Sequence, residues 1–167
     1  MNVALASERM KLSVQDLTSA QKEALIRVQD PNFYTHKGVD LQKTGTGFTT
    51  ISQGLVKQYY FKEYQPGIQK VKQSLIARFA FDPLTPKDTQ LKLFINEVYL
   101  GQHGARPIKG FEEASQYYFK KSFKDISWDE YLAMISMIRA PFSYHYHKKT
   151  AKNQERVKDI KKMLAAG

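Results

Sequence analysis

The sequence predicts an all-α, single-domain protein of 167 residues. Three observations predict it. Apolar residues recur at helical spacing in one segment after another. Helix-start signatures such as Thr18-Ser19-Ala20-Gln21 and Ser127-Trp128-Asp129-Glu130 stand directly before those segments. Long alternating apolar and polar runs, the mark of half-buried strands, are missing. No repeat or low-complexity tract divides the chain, and a composition 42% hydrophobic and 25% charged is ordinary for one globular core of this size.

The first helix follows the capping box at Thr18, sets Ala24, Leu25 and Val28 on one face, and ends at Gln29-Asp30 because Pro31 stops it. The stretch 29–40, QDPNFYTHKGVD, crowds an aromatic, an imidazole and an acid at that helix end. LQKTGTGF (41–48) is a loop around Gly45 and Gly47. A second helix covers Thr50 to Tyr60 on an Ile51, Leu55 and Val56 stripe, and EYQPG (63–67) breaks it. A third runs from about Ile68 to Phe81, where helical spacing predicts Val71, Leu75, Ile76 and Phe79 as buried.

Thr85-Pro86-Lys87-Asp88 starts a fourth helix, with Leu91, Phe94, Ile95 and Val98 as core residues. GQHGARPIKG (101–110) is a second Gly-rich loop, followed by a short helix from Glu112 to Phe119. The segment YLAMISMI, apolar almost all round, predicts a central buried helix ended by Pro141. PFSYHYH is a loop, and Ala151 to Leu164 forms a basic terminal helix. A helical domain with two Gly-rich loops beside a buried helix suits a long cleft.

Lys and Arg number 26 against 16 Asp and Glu, a net charge of +10. That balance favours anionic partners: nucleic acid, anionic lipid head groups or pyrophosphates. No helix-turn-helix or RNA-binding signature accompanies it, so no nucleic-acid partner is expected. Cysteine is absent, which removes disulfides and thiolate zinc sites. His36 is isolated, so no metal-ligating cluster is predicted. No apolar run reaches the roughly 20 residues that span a bilayer. MNVALASERMKL is too short and too charged for a signal peptide. The expectation is a protein soluble as given, or a piece of a longer one without its anchor.

Taken together, five ordered segments resemble the peptidoglycan glycosyltransferase domain, glycosyltransferase family 51. VQDPNFYTHKGVD resembles the family's first motif, E-D-x-x-F-x-x-H-x-G. TGFTTISQGLVKQ is similar to the second, G-x-S-T-I-T-Q-Q-L-V-K-N. IQKVKQSLIARFAF resembles the third, R-K-x-x-E and a helix. QLKLFINEVYLGQHGARPIKGFEEASQYYFKK and WDEYLAMISMIRAPFSYHYH resemble the fourth and fifth. The resemblance covers about Ala24 to Met163. It implies a lysozyme-like fold and a substrate, lipid II, which the family polymerises into glycan strands. It also implies a bacterial cell envelope setting on the outer face of the cytoplasmic membrane. An anionic membrane surface and a cell-wall synthase are the further partners it suggests.

The resemblance assigns roles residue by residue. The family's general base, a glutamate that deprotonates the acceptor hydroxyl, falls at Gln29. The glutamate that helps the leaving pyrophosphate, with a divalent metal such as magnesium, falls at Gln73. An amide has no basic lone pair near neutral pH and cannot take a proton. Gly54, Gln65, Gln69 and Lys92 also depart from the family pattern. Asp30, Phe33, His36, Thr50, Gln53, Lys57, Lys70, Lys72 and Asn96 keep it, and together with Gln69 they are the expected substrate-binding positions. Lys57 and Lys72 remain as point charges for a pyrophosphate. The expectation is a catalytically deficient domain that binds lipid II, a glycan strand or a synthase.

Each position also has a plainer reading. Asp30 before Pro31 suits turn capping. His36 suits holding the first loop. Gln69 and Gln73, four apart, form a polar pair on one helix face. Tyr59-Tyr60-Phe61 suits either a membrane interface or core packing. Two other functions stay open: an active enzyme with a base relocated to Asp30, Glu97, Glu112 or Glu113, and a basic nucleic-acid-binding module. Glu97, Glu112 and Glu113 read more plainly as surface ion pairs.

Overall fold

The computed structural model describes residues 10–43, 49–65 and 67–166. Gly45 and Gly47 of the expected first loop and Pro66 of the expected helix break lie outside them. Eight α-helical segments and one β-hairpin make up the described fold. In order they are α1 (Ser19–Gln29), α2 (Ile51–Tyr60), α3 (Ile68–Ile76), α4 (Asp82–Leu84), α5 (Lys87–Glu97), β1 (Tyr99–His103), β2 (Arg106–Lys109), α6 (Phe111–Phe119), α7 (Trp128–Ser136) and α8 (Thr150–Ala165). A π-helical turn, Ala77–Phe81, joins α3 to α4 without a break.

The predicted start signals form as capping boxes. The hydroxyls of Thr18, Thr50 and Ser127 accept from the amides of Gln21, Gln53 and Glu130 respectively. Those third residues bond back, so two otherwise unpaired amides are satisfied at each helix start. Helix α7 is the hub. Tyr131, Leu132, Met134 and Ile135 are buried, and the Tyr131 hydroxyl donates to the Gln21 carbonyl of α1 at 2.7 Å. Asn153 of α8 donates to Ala133 O, Ser136 Oγ and Tyr144 O, which fastens the last helix to α7 and to the turn that follows it.

Two expectations need correction. The loop 101–110 is a hairpin, with β1 antiparallel to β2 and a bulge between Tyr99 and Gly101. Gly101 has φ +129, and a Cβ there would meet Tyr118 Oη at 2.5 Å. The glycine that looked like a loop residue therefore lets the strand pass over the Tyr118 hydroxyl, which donates to Leu100 O at 2.8 Å.

The second correction concerns α3. Val71, Leu75 and Phe79, expected in the core, are 60%, 52% and 70% exposed, and Ile68 is 77% exposed. Ile76 is half-buried against the core. The inward stripe is Gln73, Ala77 and Phe81 instead. The segment keeps its helical period, but a different stripe faces inward. The inner side has little room: Gly38 (φ +75) passes so close that a Cβ would lie 2.3 Å from the Ala77 carbonyl oxygen. A small residue at position 77 fits that approach, while Phe81, one turn on, packs into the core. No helix among the described residues is long and apolar enough to cross a membrane.

The turn after α7 is held by His145, which is 3% exposed. Its Nδ1 accepts from the Lys148 amide at 3.3 Å, so Nε2 carries the proton, and that atom has no hydrogen-bond partner. The ring packs edge-on against Tyr118. Burial, then the charges of Lys148 and His147, hold its pKa below the ordinary 6.5. The folded state thus binds fewer protons here than the unfolded chain. The contribution to stability is complete above pH 6.5 and falls as the pH drops through the lowered folded value. Urea denaturation from pH 7.5 to 5 should show stability declining with acid, and a His145→Gln variant should show a smaller decline over that window.

Candidate active-site cleft

A cleft of about 600 Å³ runs between α2, the segment after it, β1 and the turn after α7. Its floor comes from one stripe of α2, where Gly54, Lys57, Gln58 and Phe61 recur at i, i+3, i+4 and i+7. Gln29 and Val28 enter from the end of α1, and Thr49 from the residue before the α2 cap. Lys62 and Tyr64 form one side. Phe94, Val98, Tyr99, Ile138, Arg139 and Pro141 form the other.

Gln29 stands in the cleft, where its Nε2 donates to Thr49 O at a long 3.4 Å. Lys57 is exposed there, with Nζ 4.5 Å from the centre of the Tyr64 ring. Lys70 is half-buried and donates to Thr49 Oγ1 at 3.2 Å. Burial first and the nearby Lys57 charge second lower its pKa. The two lysines therefore lie close enough to repel each other, and an anion between them would relieve that repulsion.

Gln73 is 1% exposed and lies beneath this group. Its Nε2 donates to the Gln53 backbone carbonyl at 2.6 Å, and its Oε1 accepts from the Tyr64 hydroxyl at 2.8 Å. A carbonyl can only accept, so the orientation of the amide is determined by its partners. Burial raises the Tyr64 pKa, which keeps that hydroxyl protonated and donating.

Most other expected binding residues are engaged within the fold. Asp30 is fully buried; its carboxylate accepts from His36 Nε2 at 2.9 Å and from the Ile51 amide at 2.9 Å. It therefore caps α2 rather than its own turn. His36 holds the first loop through that bond. Phe33 is fully buried in the core. Thr50 and Gln53 are the α2 capping box, with Thr50 also donating to Gly38 O and Gln53 to Ser74 Oγ. Asn96 is buried and brackets Leu12, donating to its carbonyl and accepting from its amide. Gln69 accepts from the Gln65 amide at 2.7 Å, and Lys72 is exposed outside the cleft lining.

The expected alternative carboxylates are engaged as well. Glu113 pairs with Arg106 at 2.8 Å, and Glu112 accepts from the Phe123 amide at 2.9 Å. Glu97 is not a surface ion pair: it is 1% exposed and accepts from Gln58 Nε2 at 2.7 Å. Of the aromatic stretch, Tyr60 is 58% exposed, Tyr59 is at the surface and Phe61 packs against the core while lining the cleft. Sequence reasoning missed Gln58, Tyr64, Tyr99 and Arg139 as cleft residues. The repeat of Gly54, Lys57, Gln58 and Phe61 along the less apolar face of α2 was the available signal for the first of them.

The amide at position 73 can be tested directly. In Gln73→Glu, an ionised carboxylate would face the Gln53 carbonyl with no proton to share. Stability at pH 8 should fall by about 2–4 kcal/mol. A protonated carboxyl can donate to that carbonyl, so the folded-state pKa of the new group is raised. The deficit should shrink as the pH falls toward 5, as followed by urea denaturation.

A family model described as Transglycosylase matches residues 2–165. Penicillin-binding protein 1F of Bacillus subtilis is 30% identical over 93% of this chain and 23% of its own length. Penicillin-binding protein 1B of Haemophilus influenzae is 29% identical over 83% of this chain and 19% of its own length. Penicillin-binding protein 1B of Escherichia coli is 30% identical over 74% of this chain and 16% of its own length. The chain thus spans about a fifth of the length of these relatives. Its predominantly helical, cleft-bearing fold agrees with that match, and the chain belongs to the transglycosylase family resembled by its five motifs.

Proposed function

We propose that this chain is a peptidoglycan glycosyltransferase domain that binds lipid II or a glycan strand without polymerising it. The observation that carries the reading is the chemistry of the cleft: among its described lining residues there is no aspartate or glutamate. Gln29 occupies the position assigned to the family's base, and Gln73 occupies that of its second glutamate. Removing a general base costs about 10²- to 10⁴-fold in rate, before any loss from the second carboxylate. Asp30, Glu112 and Glu113 are committed to structural bonds, and Glu97 lies behind Gln58. What remains is a cationic and amide-lined cleft, with Lys57 in its lining, backed by Lys70 behind Thr49, suited to a pyrophosphate and Gln29 and Gln58 to sugar hydroxyls.

The donor set does not fit a divalent metal such as magnesium. Hard cations want several oxygen ligands, usually including a carboxylate. The oxygen of Gln73 is taken by Tyr64, the neighbouring charges are lysines, and no group of three or more His, Asp or Glu among the described residues could hold an ion. Binding is therefore proposed to rest on the chain's own cations.

Lipid II polymerisation in magnesium and detergent, read as glycan product on a gel, tests the reading. No product is expected from this chain beside an active family member, while lipid II still binds and Lys57→Ala weakens that binding. Product chains would overturn the proposal of deficiency.

The same proposal sets the domain against an anionic membrane surface in the bacterial cell envelope, where a cell-wall synthase would be a neighbour. Supporting it are the exposed stripe of Ile68, Val71, Leu75 and Phe79 and the net charge of +10. Burying a Leu or Phe side chain is worth about 1.5–3 kcal/mol. The double variant Leu75→Asp/Phe79→Asp should therefore lose at least about tenfold in co-sedimentation with phosphatidylglycerol vesicles. Unchanged sedimentation would remove the stripe from the proposal.

A further inference from the structure

The two sides of the cleft differ in chemistry. One carries Lys62 and Tyr64, adjoining Gln29 and Lys57; the other carries Phe94, Val98, Tyr99, Ile138 and Pro141, together with Arg139. Directly after Pro141 stands Phe142, which is 62% exposed and belongs to neither the core nor the fringe packed against it. Its ring lies 6.2 Å from that of Tyr99, at an interplanar angle of 51°. Two rings at that tilt form a bent wall continuing the apolar side of the cleft outward. The wall is held from behind. The Tyr99 hydroxyl donates to Gln102 Oε1 at 3.3 Å, and the turn carrying Phe142 is fastened by Asn153 through Tyr144 O.

From this geometry we infer that Tyr99 and Phe142 form a sugar-stacking subsite, which takes a hexosamine ring of a β-linked glycan at the apolar side of the cleft. The inference rests on the proposed reading of the cleft as a glycan or lipid II site. A pyranose ring has apolar C–H faces and a polar rim. The faces need an aromatic surface, and the hydroxyl and acetamido groups need neutral amides and a cation nearby. Tyr99 and Phe142 supply the first, while Gln58, Gln29 and Arg139 line the same cleft and supply the second. An acyl chain would find no such polar rim useful. Phe142 adds exposed apolar area that no packing in the chain requires, and a bound sugar would cover it.

Calorimetric titration of the full chain with two probes tests the subsite. One probe is a lipid-free tetrasaccharide of alternating N-acetylglucosamine and N-acetylmuramic acid. The other is farnesyl pyrophosphate, which has the anion and no sugar. Phe142→Ala should weaken the saccharide about tenfold and leave farnesyl pyrophosphate unchanged. Phe142→Trp should restore the saccharide, and Lys57→Ala should show the opposite selectivity. The exposed position predicts an unchanged melting temperature for both Phe142 variants. Saccharide binding by Phe142→Ala equal to that of the parent overturns the subsite. So does a parent chain that binds farnesyl pyrophosphate and lipid II but no saccharide, an outcome that leaves the proposed function standing. A parent that binds none of the three overturns both.

Discussion

The buried carboxylate of Asp30 is the constraint from which the cleft follows. A carboxyl group with no exposure is tolerated only when its oxygens are hydrogen-bonded. Here His36 Nε2 and the Ile51 amide meet them, and those two partners come from different segments. One side chain therefore joins the end of α1, the first loop and the start of α2. Gln29 precedes Asp30 and Thr49-Thr50 precede Ile51, so the same bonds bring Gln29 beside Thr49 in the cleft. A second polar network supports the first. Asp82 gathers Lys87 and Gln90, Gln90 accepts from Ser52 of α2, and Lys87 donates to the His36 carbonyl. The cleft floor is held from below by polar bonds rather than by apolar packing alone.

Much of the helical order was legible because its signals are local. A capping box needs only four residues, and at Thr18, Thr50 and Ser127 the pattern and the bonds coincide. What each helix face meets is not local. Val71, Leu75 and Phe79 have the period of a buried stripe, yet the direction of α3 is decided by the close approach of Gly38 to Ala77, a contact across about 40 residues of chain. The hairpin was hidden for a similar reason. Gly101, Gly104 and Gly110 read as loop residues, whereas Gly101 is a strand residue passing over Tyr118.

The site was legible as a region more than as a set of roles. The matched motifs gather around one cleft, and Gln29 and Lys57 line it. Yet Asp30, Phe33, Thr50, Gln53 and Asn96 are buried within the scaffold. A motif records which residues a fold needs near its site without separating those that touch a ligand from those that hold the ones that do. Tyr64 shows the converse. It lies in a segment that reads only as a helix break, and nothing in its immediate sequence marks it as a cleft residue.

Tyr64 also explains why the chemistry of this cleft should be considered as a unit. Its hydroxyl donates to Gln73, its ring lies under the Lys57 ammonium and its edge packs against Phe61. Residues that share a partner do not contribute independently. An ionised carboxylate at position 73 could still accept from Tyr64, but it would face the Gln53 carbonyl on its other side and draw the Lys57 charge toward itself. The amide avoids both effects: it satisfies a donor and an acceptor at once and leaves the lysine directed at the open cleft. On the proposed reading, the exchange of a carboxylate for an amide is part of how this cleft is built. On the same reading, a neutral amide layer beneath Lys57 favours holding an anionic glycan precursor and would give no group to take the acceptor's proton.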